Sequence, residues 1–409
     1  MAQIFAVLFA LVLLLAFIPR KVDTAITMAV IGSITGLIGG LSPSRLAECF
    51  LNVFLESKTL QNIFVMLGVG ILCGLLKEYG IIYKIECSAK QLITNPKLIL
   101  MVFPAIIGVM QIPGGAVMSA PFTRATGTSL SLSSAECSVV NVVFRHFSLF
   151  ILPFSSSFIL TTAIISQVAP TKLLLMNLGF GICMVIGAYI VYVRPIKCDP
   201  APGSGESRDK LTHFWSLCIN LSPIYLVVIF NVLFDLSLYI AVGISIVYTG
   251  FLGKWKEFTQ KLKKSFNYKI PLMLICVYYF QNVIKSFDQM MKIFMGLFYA
   301  SSTIVILLLV GLFTFTLGFV SGISYVPLGV MLPILVSLNL PVPLLARYTS
   351  FVFVFSALGY IYSPAHMCQL LSDKYMNCST VQSLKVHFRL APYLMPVPFI
   401  LFYLYAFLE

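Results

Sequence analysis

Charged side chains are scarce in this sequence. Only 10% of its 409 residues are charged and 59% are hydrophobic, whereas soluble proteins carry about 25% charged residues. Acidic residues are the rarer sign, 14 against 27 lysines and arginines. Apolar runs of about 20 residues recur along the chain, each long enough to cross a ~30 Å hydrocarbon layer. We therefore expect an all-α polytopic protein of the cell (cytoplasmic) membrane, with the lipid bilayer as its surroundings.

The sequence also lacks the short motifs of several enzyme classes. It contains no P-loop, no G-x-G-x-x-G and no H-E-x-x-H. Its ten cysteines are scattered without a C-x-x-C pair, and no histidines have metal-ligand spacing. The one hydrophilic linker, residues 196–213, is too short to form a domain. We expect no enzyme, no bound metal and no cofactor, so active transport would depend on an ion gradient, with H⁺ or Na⁺ as the coupling ion.

Ten membrane spans and two hairpins account for the apolar segments. The first segment, residues 3–18, has no basic residue before it and no small-residue cleavage site after it, which favours a retained helix over a signal peptide. Segments 97–126 and 303–335 are each interrupted near the middle, which predicts re-entrant hairpins surrounded by protein or water. The predicted spans are 3–19, 24–41, 60–77, 133–166 (broken), 172–193, 214–233, 236–253, 270–286, 346–371 (broken) and 389–408.

Basic residues orient these spans. With the N-terminus outside, cytoplasmic segments hold 20 lysines and arginines and outer segments hold 5, as the positive-inside rule expects. Both termini are then outside. The basic run 254–269 has this orienting role, so we expect no nucleic-acid partner. Each half has five spans and a hairpin, an odd number of crossings, so repeat 214–409 is predicted to be inverted relative to repeat 1–195, with 196–213 as a cytoplasmic linker.

Two stretches about half the chain apart follow one plan. Residues 108–121 read GVMQIPGGAVMSAP and residues 318–333 read GFVSGISYVPLGVMLP, and Gly114 and Gly322 are 208 positions apart. Both stretches are apolar segments interrupted by small residues and a proline. A doubled hydrophobic chain with breaks at corresponding positions indicates a secondary transporter whose site lies at the breaks.

The breaks supply most of the candidate substrate-binding residues. Unwound backbone offers carbonyl groups to Na⁺ and N–H groups to anions, glycine permits close approach, and serine both donates and accepts hydrogen bonds. The alternative is that proline and glycine only kink the helices, but four breaks in paired positions favour a site. The candidates are Pro113, Gly114 and Gly115; Ser155, Ser156 and Ser157; Ser321, Gly322 and Ser324; and Gly359, Tyr360 and Ser363 within the predicted break 358–364.

Polar residues inside the spans are costly and usually functional. Arg145 could neutralise a substrate carboxylate, since its planar fork suits planar anions; a contact that locks the broken helix is the alternative. Asn141 lies on the same span and joins the substrate-binding candidates. His146 and Glu136 are the candidates for proton coupling, with a packing histidine as the alternative for His146. Less favoured as site residues are Arg347, expected to reach the membrane interface, His366, expected near a cytoplasmic end, and Asp288, expected to pair with Lys285.

Each half of the chain is predicted to contain three spans, a hairpin, a broken span and a final span, and the second half is inverted. This order resembles that of the ion-transporter superfamily of gluconate, citrate, C4-dicarboxylate and arsenite permeases. The segments PGGAVMSAPF and VNVVFRHFSLFILP resemble most a prokaryotic membrane-protein family of unknown function within that superfamily. The resemblance implies that residues 113–115, 153–157, 321–324 and 359–363 meet at a midplane site. Members of the superfamily are often dimeric, so the resemblance is compatible with a homodimer, which the sequence itself neither supports nor excludes. The Ser-Asn-Thr signatures of the dicarboxylate branch are replaced here by PGG and SSS.

The favoured function is therefore secondary transport of a small anionic solute, with organic acids as the leading class. A lipid or lipid-phosphate translocase is the alternative, and it would require a continuous polar groove along a span, which the sequence does not show. An intramembrane enzyme would require a catalytic set of residues, and none has helical spacing.

Overall fold

The computed structural model describes residues 24–93, 95–109, 116–153, 155–196, 207–234, 236–266, 268–287 and 301–408, with the single positions 6, 9 and 296. The described part is helical and contains no strand. Three features predicted above lie outside the described residues: most of the first span 3–19, the first hairpin tip 113–115, and Asp288.

The first half of the chain forms ten of the described helices. They are α1 (Thr24–Ile38), α2 (Pro43–Leu55), α3 (Ser57–Glu78), α4 (Ile81–Leu92), α5 (Pro96–Val109), α6 (Ala116–Ser129), α7 (Ser134–His146), α8 (Ser148–Ile151), α9 (Ser156–Ile164) and α10 (Pro170–Ala188), which continues as a π-helical turn over Tyr189–Val193.

The second half has a similar order. Its helices are α11 (Ser207–Val232), α12 (Leu238–Leu252), α13 (Phe258–Ser265), α14 (Lys269–Lys285), α15 (Thr303–Ser321), α16 (Tyr325–Ser337), α17 (Val342–Tyr362), α18 (Met367–Met376), α19 (Thr380–His387), α20 (Ala391–Leu394) and α21 (Val397–Leu408). A short 3₁₀ turn, Trp255–Glu257, precedes α13.

Seven helical segments among the described residues are long and apolar enough to cross a membrane, or eight if the bent pair Leu238–Leu252 and Trp255–Ser265 counts as one span. The ten predicted spans exceed this number partly because α1, with 15 residues, and α14, with 17, are short. α15 has 19 residues and could cross by itself, so the re-entrant character of segment 303–335 stays a prediction. The composition and lengths fit a polytopic membrane protein.

The first broken span leaves helical geometry between α8 and α9. α8 ends at Ile151, and the Ser155 hydroxyl then accepts a hydrogen bond from the Phe158 N–H at 3.2 Å, which caps the start of α9. The second hairpin segment is interrupted at Gly322, whose φ of +64° ends α15 in a left-handed cap.

The second broken span is interrupted later than its sequence predicts. α17 continues through Gly359 and Tyr360 to Tyr362, and the non-helical segment covers residues 363–366. Pro364 disfavours the helical conformation for the residue before it, which explains why the helix ends just before Ser363. Gly359 belongs to a helix–helix contact instead, as described next.

Two glycines allow helix backbones to touch near the centre of the protein. A Cβ atom on Gly108 of α5 would overlap the carbonyl oxygen of Arg145 on α7, and one on Gly359 of α17 would overlap the carbonyl oxygen of Phe315 on α15. Gly318 faces the same crossing, where an added Cβ would lie 2.8 Å from the Ser356 carbonyl oxygen. Small residues at such crossings are typical of packed membrane helices.

Contacts between the halves hold the bundle together. Helices of one half pack against helices of the other in several pairs: α1 with α14, α3 with α12, α2 with α14, α3 with α13, α9 with α16 and α6 with α18. Within each half, α5 packs on α7 and α15 packs on α17. The most buried segments, α7 and the end of α17, lie where these contacts meet.

Candidate functional site

Three polar side chains lie on one face of α7. Ser138, Asn141 and Arg145 are spaced three and four residues apart, which places them in line along a helix. Their exposed fractions are 0%, 0% and 4%. The carbonyl oxygen of Arg145 accepts a hydrogen bond from Ser148 at 3.0 Å. An arginine this deeply buried in an apolar bundle marks a functional candidate.

His146 has a defined hydrogen-bonding orientation. Its Nδ1 lies 2.6 Å from the Val142 carbonyl oxygen, so Nδ1–H donates to that oxygen. The other ring nitrogen, Nε2, lies 3.4 Å from the hydroxyl of Tyr360. The sequence proposed His146 as a proton carrier; with Nδ1 already bonded, only Nε2 can bind an additional group.

Tyr360 and His366 complete an aromatic cluster around His146. The Tyr360 and His366 ring centroids are 3.9 Å apart, and those of His146 and His366 are 4.7 Å apart. His366 is 0% exposed, and within the described residues neither of its ring nitrogens makes a well-aligned hydrogen bond, although the Ile361 backbone lies nearby. The sequence had suggested a position near a helix end for His366, without a role in the site.

The same cluster contains a set of potential metal ligands. One nitrogen each of His146 and His366 and the Cys368 sulfur lie within 4.8 Å of one another, and all three residues are buried. Imidazole nitrogen and thiolate sulfur are ligands that Zn²⁺ accepts. The positive charge of Arg145, however, acts on both histidines. This charge opposes a bound cation and favours an anion.

Two helix breaks and the turn at Gly322 between α15 and α16 lie next to each other. The Ser157 hydroxyl of α9 and the Ser324 hydroxyl between α15 and α16 are 2.7 Å apart. The Ser356 hydroxyl of α17 donates to the Ser324 carbonyl oxygen. An added Cβ on Gly322 would lie 2.7 Å from the Ala365 carbonyl carbon, so the turn between α15 and α16 also contacts the second break.

These contacts bring helix N-termini together. α9 begins at Ser156, α16 at Tyr325 and α18 at Met367, each directly after one of the adjoining non-helical segments. The N-terminus of a helix presents unpaired N–H groups and a partial positive charge. With Arg145 on α7, the centre of the bundle thus combines several features that favour a negatively charged ligand.

Asn141 connects the first hairpin segment to the second half. Its amide Nδ2 donates to the Ala116 carbonyl oxygen at 3.0 Å and to the Ser372 hydroxyl of α18 at 3.1 Å. Its Oδ1 accepts a hydrogen bond from Thr123 of α6 at 3.2 Å. The start of α6, immediately after the predicted hairpin tip, is therefore anchored to both α7 and α18.

A second polar network surrounds Asp373 on α18. Its Oδ1 accepts hydrogen bonds from Ser138 at 2.6 Å, Gln369 at 2.7 Å and Ser383 at 2.5 Å. The Gln369 Oε1 in turn accepts a bond from the His387 Nε2–H at 2.7 Å. Asp373 is 2% exposed and Gln369 and His387 are 0% exposed. This network joins α7, α18 and α19.

Glu136 and Arg347 lie in other surroundings. The Glu136 carboxylate forms a capping box with Ser133 at the start of α7 and accepts a hydrogen bond from Arg389 at 3.0 Å. Arg347 is half-buried, with its guanidinium over the Phe402 ring at 5.2 Å. Of the remaining candidates, Ser363 is buried and accepts a bond from the Ala365 N–H at 3.0 Å.

Sequence reasoning missed three buried polar residues, Cys368, Asp373 and His387, and gave His366 little weight as a site residue. All follow Pro364, in a stretch that contains charges and resembles a membrane-proximal loop. The one available signal was spacing, because His366, Gln369 and Asp373 recur every three or four residues. That pattern places them on one face of a helix.

Burial lowers the pKa of the His387 imidazole from 6.5 to about 3, and His387 lies after the span that ends at Met376. Between these two values the unfolded chain binds a proton that the folded protein does not. His387 therefore contributes a fall in the free energy of unfolding as the pH drops below 6.5, of up to about 1.4 kcal/mol per pH unit. Thermal unfolding of purified protein between pH 7.5 and 5 measures this. His387→Gln should reduce the slope, whereas His213→Gln should not; equal slopes in both variants would contradict the prediction.

The long apolar helices are compatible with a polytopic membrane protein that has a buried polar centre. The chain belongs to a family described as "Protein of unknown function (DUF401)", whose model matches residues 2–402. No curated protein matches the chain.

Proposed function

We propose that this protein is a secondary transporter of a small anionic solute, with organic acids as the favoured class, driven by an ion gradient through alternating access. The observation that carries the proposal is the meeting of two helix breaks and a hairpin tip, through Ser157, Ser324, Gly322 and Ala365. Discontinuous helices whose N-termini face a common centre are the usual way in which transporters bind anionic groups.

Arg145 is the proposed main partner of the anion. A guanidinium can bind a carboxylate through two parallel hydrogen bonds. The buried His366 imidazole and the Tyr360 hydroxyl can add donors beside it. With only 4% of its surface exposed, Arg145 would act in a region of low dielectric, where its attraction for an anion is stronger than in water.

The packing pattern supports a repeat of two corresponding halves. Suppose that α1, α2 and α3 correspond to α12, α13 and α14. The contact of α1 with α14 then has its counterpart in the contact of α12 with α3. The contact of α2 with α14 likewise has its counterpart in the contact of α13 with α3. If α6 and α9 correspond to α16 and α18, the contact of α9 with α16 is matched by that of α18 with α6. Exchange of the halves thus preserves the contacts, which fits the predicted resemblance to ion-transporter permeases.

Thermal unfolding of the purified protein against a panel of anions tests the function. Succinate, citrate, gluconate, phosphate and sulfate would each be added with Na⁺ or K⁺ at two pH values. A ligand that binds only the folded protein raises stability by mass action, by about 2.7 kcal/mol at 100 times its Kd. We expect stabilisation by at least one carboxylate.

Two further additions make the panel decisive. Stabilisation by Zn²⁺ alone would favour a cation site at His146, His366 and Cys368 and contradict the anion assignment. Stabilisation by phospholipid headgroups or isoprenoid phosphates, with none by the soluble anions, would favour a lipid translocase instead. Either result would replace the proposal.

A further inference from the structure

Asp373 is a carboxylate in an unusual environment. It is 2% exposed on a helix within an apolar span, and all three of its strong hydrogen bonds go to one oxygen, Oδ1, from Ser138, Gln369 and Ser383. The other oxygen, Oδ2, has no hydrogen-bond partner among the described residues. An ionised carboxylate would be expected to bond through both oxygens.

The charge of an ionised Asp373 would also lack a direct counter-ion. The ion pairs found among the described residues involve Glu48, Glu136 and Glu257 and do not include Asp373. An unpaired charge inside a membrane protein is costly, and such carboxylates commonly serve as proton carriers. An O–H on Oδ2 removes this cost, because the neutral acid keeps Oδ1 as the acceptor of the three hydrogen bonds.

We propose that Asp373 is the group that binds the coupling proton of the transport cycle. The inference rests on the proposed function, and it assigns H⁺ as the coupling ion. A proton from the more acidic side forms an O–H bond at Oδ2, and the same bond breaks when the proton leaves on the other side. The sequence named Glu136 and His146 for this role, whereas Glu136 is bonded to Arg389 at the edge of α7.

A sodium ion fits this position less well than a proton. Transporters usually coordinate Na⁺ with carbonyl oxygens of unwound backbone and of helix C-terminal ends. Asp373 lies inside α18, and its own carbonyl oxygen already accepts the N–H of Cys378. The hydroxyls of Ser138 and Ser383 direct their hydrogens at Oδ1, so their arrangement suits an acid rather than a cation.

Other titratable or charged groups lie around the carboxylate. On α19, His387 connects to it through Gln369, and the Cys378 sulfur is 3.6 Å from Oδ1. Arg124 of α6 donates to the Tyr375 carbonyl oxygen. The other groups on packed or neighbouring segments are Glu136 and Cys137 of α7, Lys374 of α18, Lys385 of α19, and Arg389, which follows α19.

Proton binding at Asp373 can reach the anion site through α18. His366 at the start of this helix and Asp373 are seven residues apart, about 10 Å along the axis. Ser372, beside Asp373, is bonded to Asn141, which also holds the start of α6. A change in the hydrogen bonds of Asp373 would therefore alter the contact of α18 with both α7 and the first hairpin segment.

Infrared difference spectroscopy of the full-length protein in lipid can detect the proton directly. When the pH is lowered, the wild type should show a carbonyl stretch of a buried carboxylic acid that is missing in Asp373→Asn and shifted in Asp373→Glu. Glu136→Gln is the matched control and should keep the band. A band unchanged in both Asp373 variants would overturn the assignment.

Anion binding separates this inference from the proposed function. In the succinate and citrate titrations, the wild-type apparent Kd should change by up to about tenfold per pH unit, and Asp373→Asn should bind with less than about twofold change. Retention of the full pH dependence in Asp373→Asn, or its replacement by dependence on Na⁺, would refute the proton assignment alone. Absence of anion binding in every protein would refute the proposed function, while the infrared result on Asp373 would stand.

Discussion

Arg145→Ala is expected to abolish the stabilisation of the protein by its anionic ligand. Truncation of one partner of a buried charged hydrogen bond costs about 2–5 kcal/mol, so affinity should fall by at least about 30-fold. The effect should be large because Arg145 is 4% exposed and no bulk water can replace it. Calorimetric titration of the anion into wild type and variant measures the loss.

Arg347→Ala is the matched control for this experiment. Arg347 occupies the corresponding place in the second half of the sequence, but it is half-buried at the start of α17 against Phe402. We expect its replacement to leave anion affinity within about twofold. Arg145→Lys should recover only part of the binding, since an ammonium cannot form the two parallel bonds of a guanidinium. Full affinity in Arg145→Ala would remove Arg145 from the site.

Gly359→Ala is expected to destabilise the protein. The new Cβ would overlap the Phe315 carbonyl oxygen and lie 3.0 Å from the Cα of Gly318, so α15 and α17 would have to separate. Overpacking of this kind costs about 1–3 kcal/mol. The thermal midpoint of the purified variant, compared with wild type in the same detergent, measures the effect.

Gly243→Ala provides the opposite expectation. Gly243 lies in the middle of α12, and no heavy atom lies within 4 Å of a Cβ built there. Alanine is the better helix former by about 1 kcal/mol, so this variant should unfold at the same temperature as wild type or above it. A midpoint for Gly359→Ala equal to that of Gly243→Ala would show that the crossing of α15 and α17 is not closely packed.

The composition and the positions of proline and glycine account for much of the fold that could be predicted from the sequence. The scarcity of charge indicated apolar helices, and the proline and glycine positions indicated where several of them are interrupted. The second break was placed too early because Gly359 was taken as a break residue. A glycine in a helix contact and a glycine in an unwound segment look alike in sequence, and only the neighbouring backbone distinguishes them.

The buried network around Asp373 could not be predicted in the same way. Ser138 of α7 and Asp373 of α18 are 235 residues apart in the chain, and their proximity depends on how the two halves pack. Asp373 also precedes a lysine and follows a break, as loop residues often do. By contrast, Arg145 and His146 could be recognised because they interrupt a long apolar run, where a charged or polar side chain is costly and usually functional.

Uptake into proteoliposomes is the most direct test of the central claim. Vesicles containing the purified protein would receive the radiolabelled anion that stabilises it, under an imposed pH gradient with the acidic side outside. The proposal predicts accumulation of the anion above its external concentration, lost when the gradient is collapsed and lost in Arg145→Ala. Entry only to equilibrium, or no entry together with rapid exchange of fluorescent phospholipid between leaflets, would contradict it.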